Sequence, residues 1–135
     1  MSTFTATHDF DEAARRTLER ELNHFATAPT SFLEAWKRGV TLAGSHLFGA
    51  GARADVEKAA SLWDLCPKMP VIERAIGVMS SGEKTVLAAL VSFYNAEDGG
   101  RLLKRVGVHG FADLGGLDLP RRIVIAALLL NYTGW

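Results

Sequence analysis

The strongest constraint on this chain is the stretch from Ser80 to Tyr94, SSGEKTVLAALVSFY. Ser80 and Glu83 have the spacing of a capping box: the serine oxygen can accept from the backbone N–H three residues on, and the glutamate can reach back to the cap N–H. Behind this start signal, Val86, Leu87, Leu90, Val91 and Tyr94 recur at helical spacing, while Ala88, Ala89 and Phe93 carry the apolar surface most of the way round. A helix that is apolar on nearly every side is buried on several sides. The run is shorter than the roughly 20 residues needed to span a bilayer. The pattern therefore predicts a central helix over about residues 81–94, with other helices packed around it.

The rest of the chain supplies those helices. Residues 1–8 are polar and read as a loose N-terminal segment, which leaves 9–135 as one helical domain. Phe10, Ala14, Leu18, Leu22 and Phe25 recur every three or four residues, opposite Arg15, Arg16, Glu19, Arg20 and Asn23. This predicts an amphipathic helix ending near Ala26, before Pro29. Its arginines alternate with Asp11, Glu12, Glu19 and Glu21, as on a solvated face. Ser31 and Glu34 repeat the cap signature, and Phe32, Leu33, Trp36 and Val40 give a second helix that Gly39 and Gly44 weaken or kink. Asp55 reads as the N-cap of a third helix, with Val56, Ala59, Ala60, Trp63 and Cys66 inward and Pro67 as its stop. A fourth covers Val71 to Val78, with Ile72, Ala75, Ile76 and Met79 inward.

Beyond the central helix, Arg101 to Val106 forms a short helix stopped by Gly107, with acids in front and bases at its end, as the helix dipole favours. Residues 107–118 read as a glycine-rich folded loop with a turn of helix around Phe111 to Leu114. Asp118 caps a final helix over about 119–132, with Pro120 in its first turn. Its body, Ile123 to Leu130, is uninterrupted apolar sequence and is expected to be buried. Gly134 offers the left-handed turn that lets Trp135 fold back. The expected fold is all-α, a compact single-domain bundle of some six or seven short helices around the central and C-terminal apolar ones.

Motifs for chemistry are sparse. Gly77 to Thr85 nearly matches the phosphate loop G-x-x-x-x-G-K-[ST], but Glu83 stands between Gly82 and Lys84. The extra residue displaces the lysine, and a carboxylate there repels phosphate. Gly49 to Ala54 resembles a dinucleotide fingerprint, but that motif follows a strand, and here a helix precedes it; the segment reads as a flexible connector. His8, His24, His46 and His109 lack the spacing of a zinc site. Cys66 reads as a small hydrophobe at a helix end. No nucleophile elbow or kinase signature occurs, so no enzymatic activity, cofactor or metal is expected. An enzyme whose residues meet only in space is the third reading.

Fifteen basic residues balance fifteen acidic ones, which gives no general attraction for nucleic acid or an anionic membrane. One cysteine forms no intrachain disulfide, and without a visible signal peptide the cytoplasm is the expected compartment. Together these features fit a small non-enzymatic protein that binds another protein, with a homodimer as a further option. Accessory or inhibitor proteins of bacterial mobile elements, such as anti-CRISPR inhibitors, exemplify that type. Tryptophan and arginine most often carry interface energy, so the expected contacts are Trp135, Arg101, Lys104, Arg105, Arg121 and Arg122. The same arginines and lysine would serve the second reading, a helical DNA-binding regulator with Arg101, Lys104 and Arg105 on a recognition helix. Trp36 and Trp63 fall on apolar helical faces and are expected in the core.

Overall fold

The computed structural model describes the backbone of residues 2–135 and the side chains of 10–52 and 55–135. Six α-helices occur among the described residues: α1 Ser2–Ala43, α2 Arg53–Lys58, α3 Met69–Ala75, α4 Ser81–Tyr94, α5 Ala96–Arg105 and α6 Leu119–Asn131. Short 3₁₀ turns cover Ser45–Leu47, Leu62–Leu65, Ile76–Val78 and Phe111–Gly116. No strand is present among these residues, and the all-α expectation holds.

Helix α4 is the centre. The Ser80 hydroxyl accepts from Glu83 N at 3.4 Å and donates to Glu83 Oε1 at 2.6 Å, so the near-match to a phosphate loop is a helix cap. Every residue from Thr85 to Val91 is buried. Asn95 ends α4 and caps α5, its side chain accepting from Asp98 N at 3.0 Å. With a single residue between them, α5 begins five residues earlier than expected and doubles back, so that Arg105 reaches the carbonyl of Glu73 at 3.1 Å. Gly99 permits this: a Cβ there would overlap the backbone of Ser92. Its role is close helix packing, not a weak start to a recognition helix.

The largest departure from expectation is α1. The two expected helices, one ending near Ala26 and one starting after Pro29, are one helix of 42 residues, about 63 Å long at 1.5 Å per residue. Pro29 lies inside it. An internal proline removes a hydrogen bond and costs about 3 kcal/mol; Ala28 just before it and Phe32, Ala35 and Trp36 after it are buried, which anchors the helix on the C-terminal side of the defect. Gly39 does not kink α1 either. It is where Leu90 and Val124 approach, 2.7 and 3.2 Å from the position a Cβ would take. Gly44, at φ 126, ends the helix. The expectation of a loose segment over 1–8 falls on Met1 and on side chains outside the described residues; the backbone of 2–8 is traced within α1.

The expected third helix is also corrected. It breaks after Lys58, and the chain resumes as the 3₁₀ turn Leu62–Leu65. Asp55 is not the N-cap: it lies in the first turn of α2, behind Ala52, and Asp64 Oδ2 caps the second piece by accepting from Ala60 N and Ser61 N at 3.0 and 3.2 Å. The following residues pair with the turn after α1: Gly49 N donates to Cys66 O at 3.0 Å and Lys68 N to Leu47 O at 2.9 Å. The Gly49–Gly51 segment is thus a tied turn instead of a flexible connector. Val56, Ala59, Ile72 and Ile76 are buried as expected, but Trp63 is 65% exposed.

Helix α6 starts as expected, with Asp118 accepting from Arg121 N at 3.1 Å. It runs antiparallel to the second half of α1, since Val124 lies against Gly39 while the Leu130 carbonyl lies 2.9 Å from His24 Nε2. Its burial was expected on all sides. Instead only Val124 and Leu128 are buried, and Leu119, Ile123, Leu129 and Leu130 are exposed.

Candidate functional site

The expected contact residues do not form one surface. Trp135 turns inward after Gly134, whose φ is 118. Its ring meets Trp36 edge-on at 4.8 Å, Tyr94 at 5.0 Å and Trp63 at 6.0 Å. It therefore closes the junction of α1, α4 and the Leu62–Leu65 turn within its own fold. Trp36 is fully buried and its Nε1 donates to Leu65 O at 3.0 Å.

The basic residues are mostly engaged with their own chain. Arg101 pairs with Asp98 and, at 3.4 Å, with Glu73, while Arg105 donates to the Glu73 carbonyl. Arg121 pairs with the Asp118 carboxylate that caps its own helix. Arg122 donates to Leu117 O at 2.7 Å and to Gly115 O, pinning the glycine-rich loop to α6. Lys104 is exposed at the end of α5. Asp98, Glu73 and Asp118 thus compensate the charges of Arg101 and Arg121, whereas Arg105 and Arg122 are oriented by neutral carbonyls and keep theirs.

Two concavities could hold small ligands. The larger, about 650 Å³, lies between α1, α2 and α6, lined by Glu34, Lys37 and Arg38 of α1 and Glu57 of α2. The second, about 420 Å³, is bordered by Phe93, Leu103, Phe111, Leu114 and Ile125, with His109 at its edge. Ser92 and His109 both line the second, where the Ser92 hydroxyl donates to the Ala89 carbonyl at 2.5 Å. Cys66 is half-buried, and burial together with Asp64 pushes its thiol pKa up, away from the thiolate that a nucleophile requires. Among the described residues, no three His, Cys, Asp or Glu side chains gather to hold a metal ion, and no helix is long and apolar enough to cross a membrane.

The surface that does stand out was read from sequence as core. Phe10 is 73% exposed, Leu18 55%, Leu22 62% and Phe25 57%. They belong to the first half of α1, where every described side chain from Phe10 to Thr27 is exposed except the half-exposed Glu12 and His24. At 3.6 residues per turn, eighteen residues are five full turns. Phe10, Ala14, Leu18, Leu22 and Phe25 thus lie on the same face as Ala28, Phe32, Trp36, Val40 and Ala43, each five turns further along. The second set is buried beneath α4 and α6, and the first is bare. One apolar face runs the length of α1, and the body of the protein covers half of it. Beside the bare half, Leu130 at the end of α6 is 67% exposed and its carbonyl meets His24, whereas Leu129 faces the second concavity. The signal in the sequence was this register, which continues in phase across Pro29.

The chain matches no family model, no curated protein and no solved structure.

Proposed function

We propose that this protein is a non-enzymatic binding module that captures a protein chain along the bare face of α1 and the adjoining end of α6. The observation behind it is the register of α1: an apolar face that the protein itself covers from Ala28 onward continues uncovered back to Phe10. An amphipathic helix gains most of its stability by packing its apolar face, and contiguous exposed apolar patches of this kind mark interaction sites. Exposed Arg15, Arg16, Glu19 and Arg20 form the polar surround, as at the rim of an interface. A module of this type acts by occupancy, and an accessory or inhibitor protein of a mobile element, set against a host defence complex such as a CRISPR effector, is the setting we favour for it.

The test is affinity capture of the full chain from its source cell, comparing wild type with Leu22→Glu. A charge in a desolvated apolar contact should weaken capture by at least about 2 kcal/mol, near thirtyfold. A protein chain retained by wild type and lost by the variant supports the reading. Retention of the same proteins by both, or of none by either, overturns it.

A further inference from the structure

We propose that the chain seated on this face is a second copy of the same protein, its α1 arm packed antiparallel against the first about a two-fold axis near Leu18. The proposal rests on the binding face argued above and names its occupant.

The face is self-complementary when reversed. With Leu18 beside the axis, Ala14 of one copy falls opposite Leu22 of the other, a small residue against a large one. Phe10 falls opposite Phe25 and Ala26, next to the exposed Leu130 at the end of α6. Small against large is how facing helices interdigitate. The charges match as well. Arg15 and Glu19 flank the stripe on the same side, and a two-fold axis brings that side of each copy together. Arg15, which donates to both carboxylate oxygens of Glu12 on its own helix at 2.6 and 2.7 Å, then also faces Glu19 of the other copy, twice over. Both side chains are exposed. The chain's zero net charge sets no long-range repulsion between copies.

The area is sufficient. A fully covered aromatic side chain buries about 150–250 Å². At their present exposures, Phe10, Leu18, Leu22 and Phe25 offer on the order of 450 Å² per copy. Two copies, with Ala14 and Leu130 included, reach about 1,200 Å², where stable specific interfaces begin. The contact is isologous, so it closes at two copies and leaves no free face to propagate.

Light scattering on the eluting full-length protein reads the result directly. Wild type should elute at twice the chain mass. Leu18→Glu, which places two carboxylates at the axis, should elute as a monomer with an unchanged circular dichroism spectrum, since Leu18 touches none of the core. Glu19→Arg should weaken the dimer at least tenfold by setting Arg15 against a like charge. Adding Arg15→Glu to that variant should restore it, because the pair is merely exchanged. A double variant as weak as the single one overturns the antiparallel register. A wild-type monomer at every soluble concentration overturns the second copy altogether. In that case the capture experiment still decides the wider reading: a different chain bound through Leu22 leaves protein binding standing. Binding only to phosphatidylserine vesicles ends both.

Discussion

Two neighbouring glycines show how much a single position can owe to packing. Gly99 and Gly100 share one helix, and from sequence both look like weak points in it. Gly99 lies on the backbone of Ser92, whereas nothing lies within 4 Å of where a Cβ of Gly100 would be. Gly99→Ala should therefore force α5 away from α4 and destabilise by about 3 kcal/mol, the upper part of the overpacking range. Gly100→Ala should stabilise by about 0.5–1 kcal/mol, because alanine is the better helix former. Urea denaturation of the two variants checks this, and equal effects would mean that the α4–α5 crossing is wrong. The same distinction governs the tryptophans. Trp36 at the core is legible from its helical spacing. The exposure of Trp63 is not, because it follows from a helix break set by Asp64 and by pairing with Leu47–Gly49.

At the level of elements, start signals were legible where a side chain caps its own helix. Ser80 and Asp118 each accept from a backbone N–H three residues on; Asn95 does the same for α5, whose start the sequence set later, at Arg101. Asp113 does similar work in the loop between α5 and α6. Its carboxylate accepts from His109 N at 2.7 Å and Gly110 N at 3.1 Å, and these two bonds, His109 first, lower its pKa. A carboxyl group whose folded pKa is depressed adds stability above its unfolded pKa and loses it as pH falls through the folded value. The His109 and Gly110 amides should therefore exchange faster as pH drops below the ordinary carboxylate range, after correction for intrinsic rates, and Asp113→Ala should remove that dependence. Amide protection unchanged across that window would show that the carboxylate does not hold the loop. Helix ends were less legible. Pro29 is a reliable stop in isolation, yet α1 runs through it, with Ala28 just before it and Phe32, Ala35 and Trp36 after it buried on the body.

At the scale of the whole molecule, the buried hydrophobic residues lie between Ala28 and Leu128, and the first half of α1 adds nothing to that core. Deleting residues 2–23 should leave a helical body that unfolds cooperatively by circular dichroism, while it abolishes binding through Phe10, Leu18 and Leu22. Loss of cooperative unfolding would mean that the arm is part of the core. The sequence by itself determined the helical class, the central position of Ser81–Tyr94, the start of α6 and the lack of a local catalytic motif. These depend on periodicity and on caps that act within a few residues. Tertiary structure alone decided that α1 is one helix and that Phe10, Leu18, Leu22 and Phe25 are bare. Periodicity marks which face of a helix is apolar, but whether that face is covered depends on where other elements end, and here α6 ends at the level of His24.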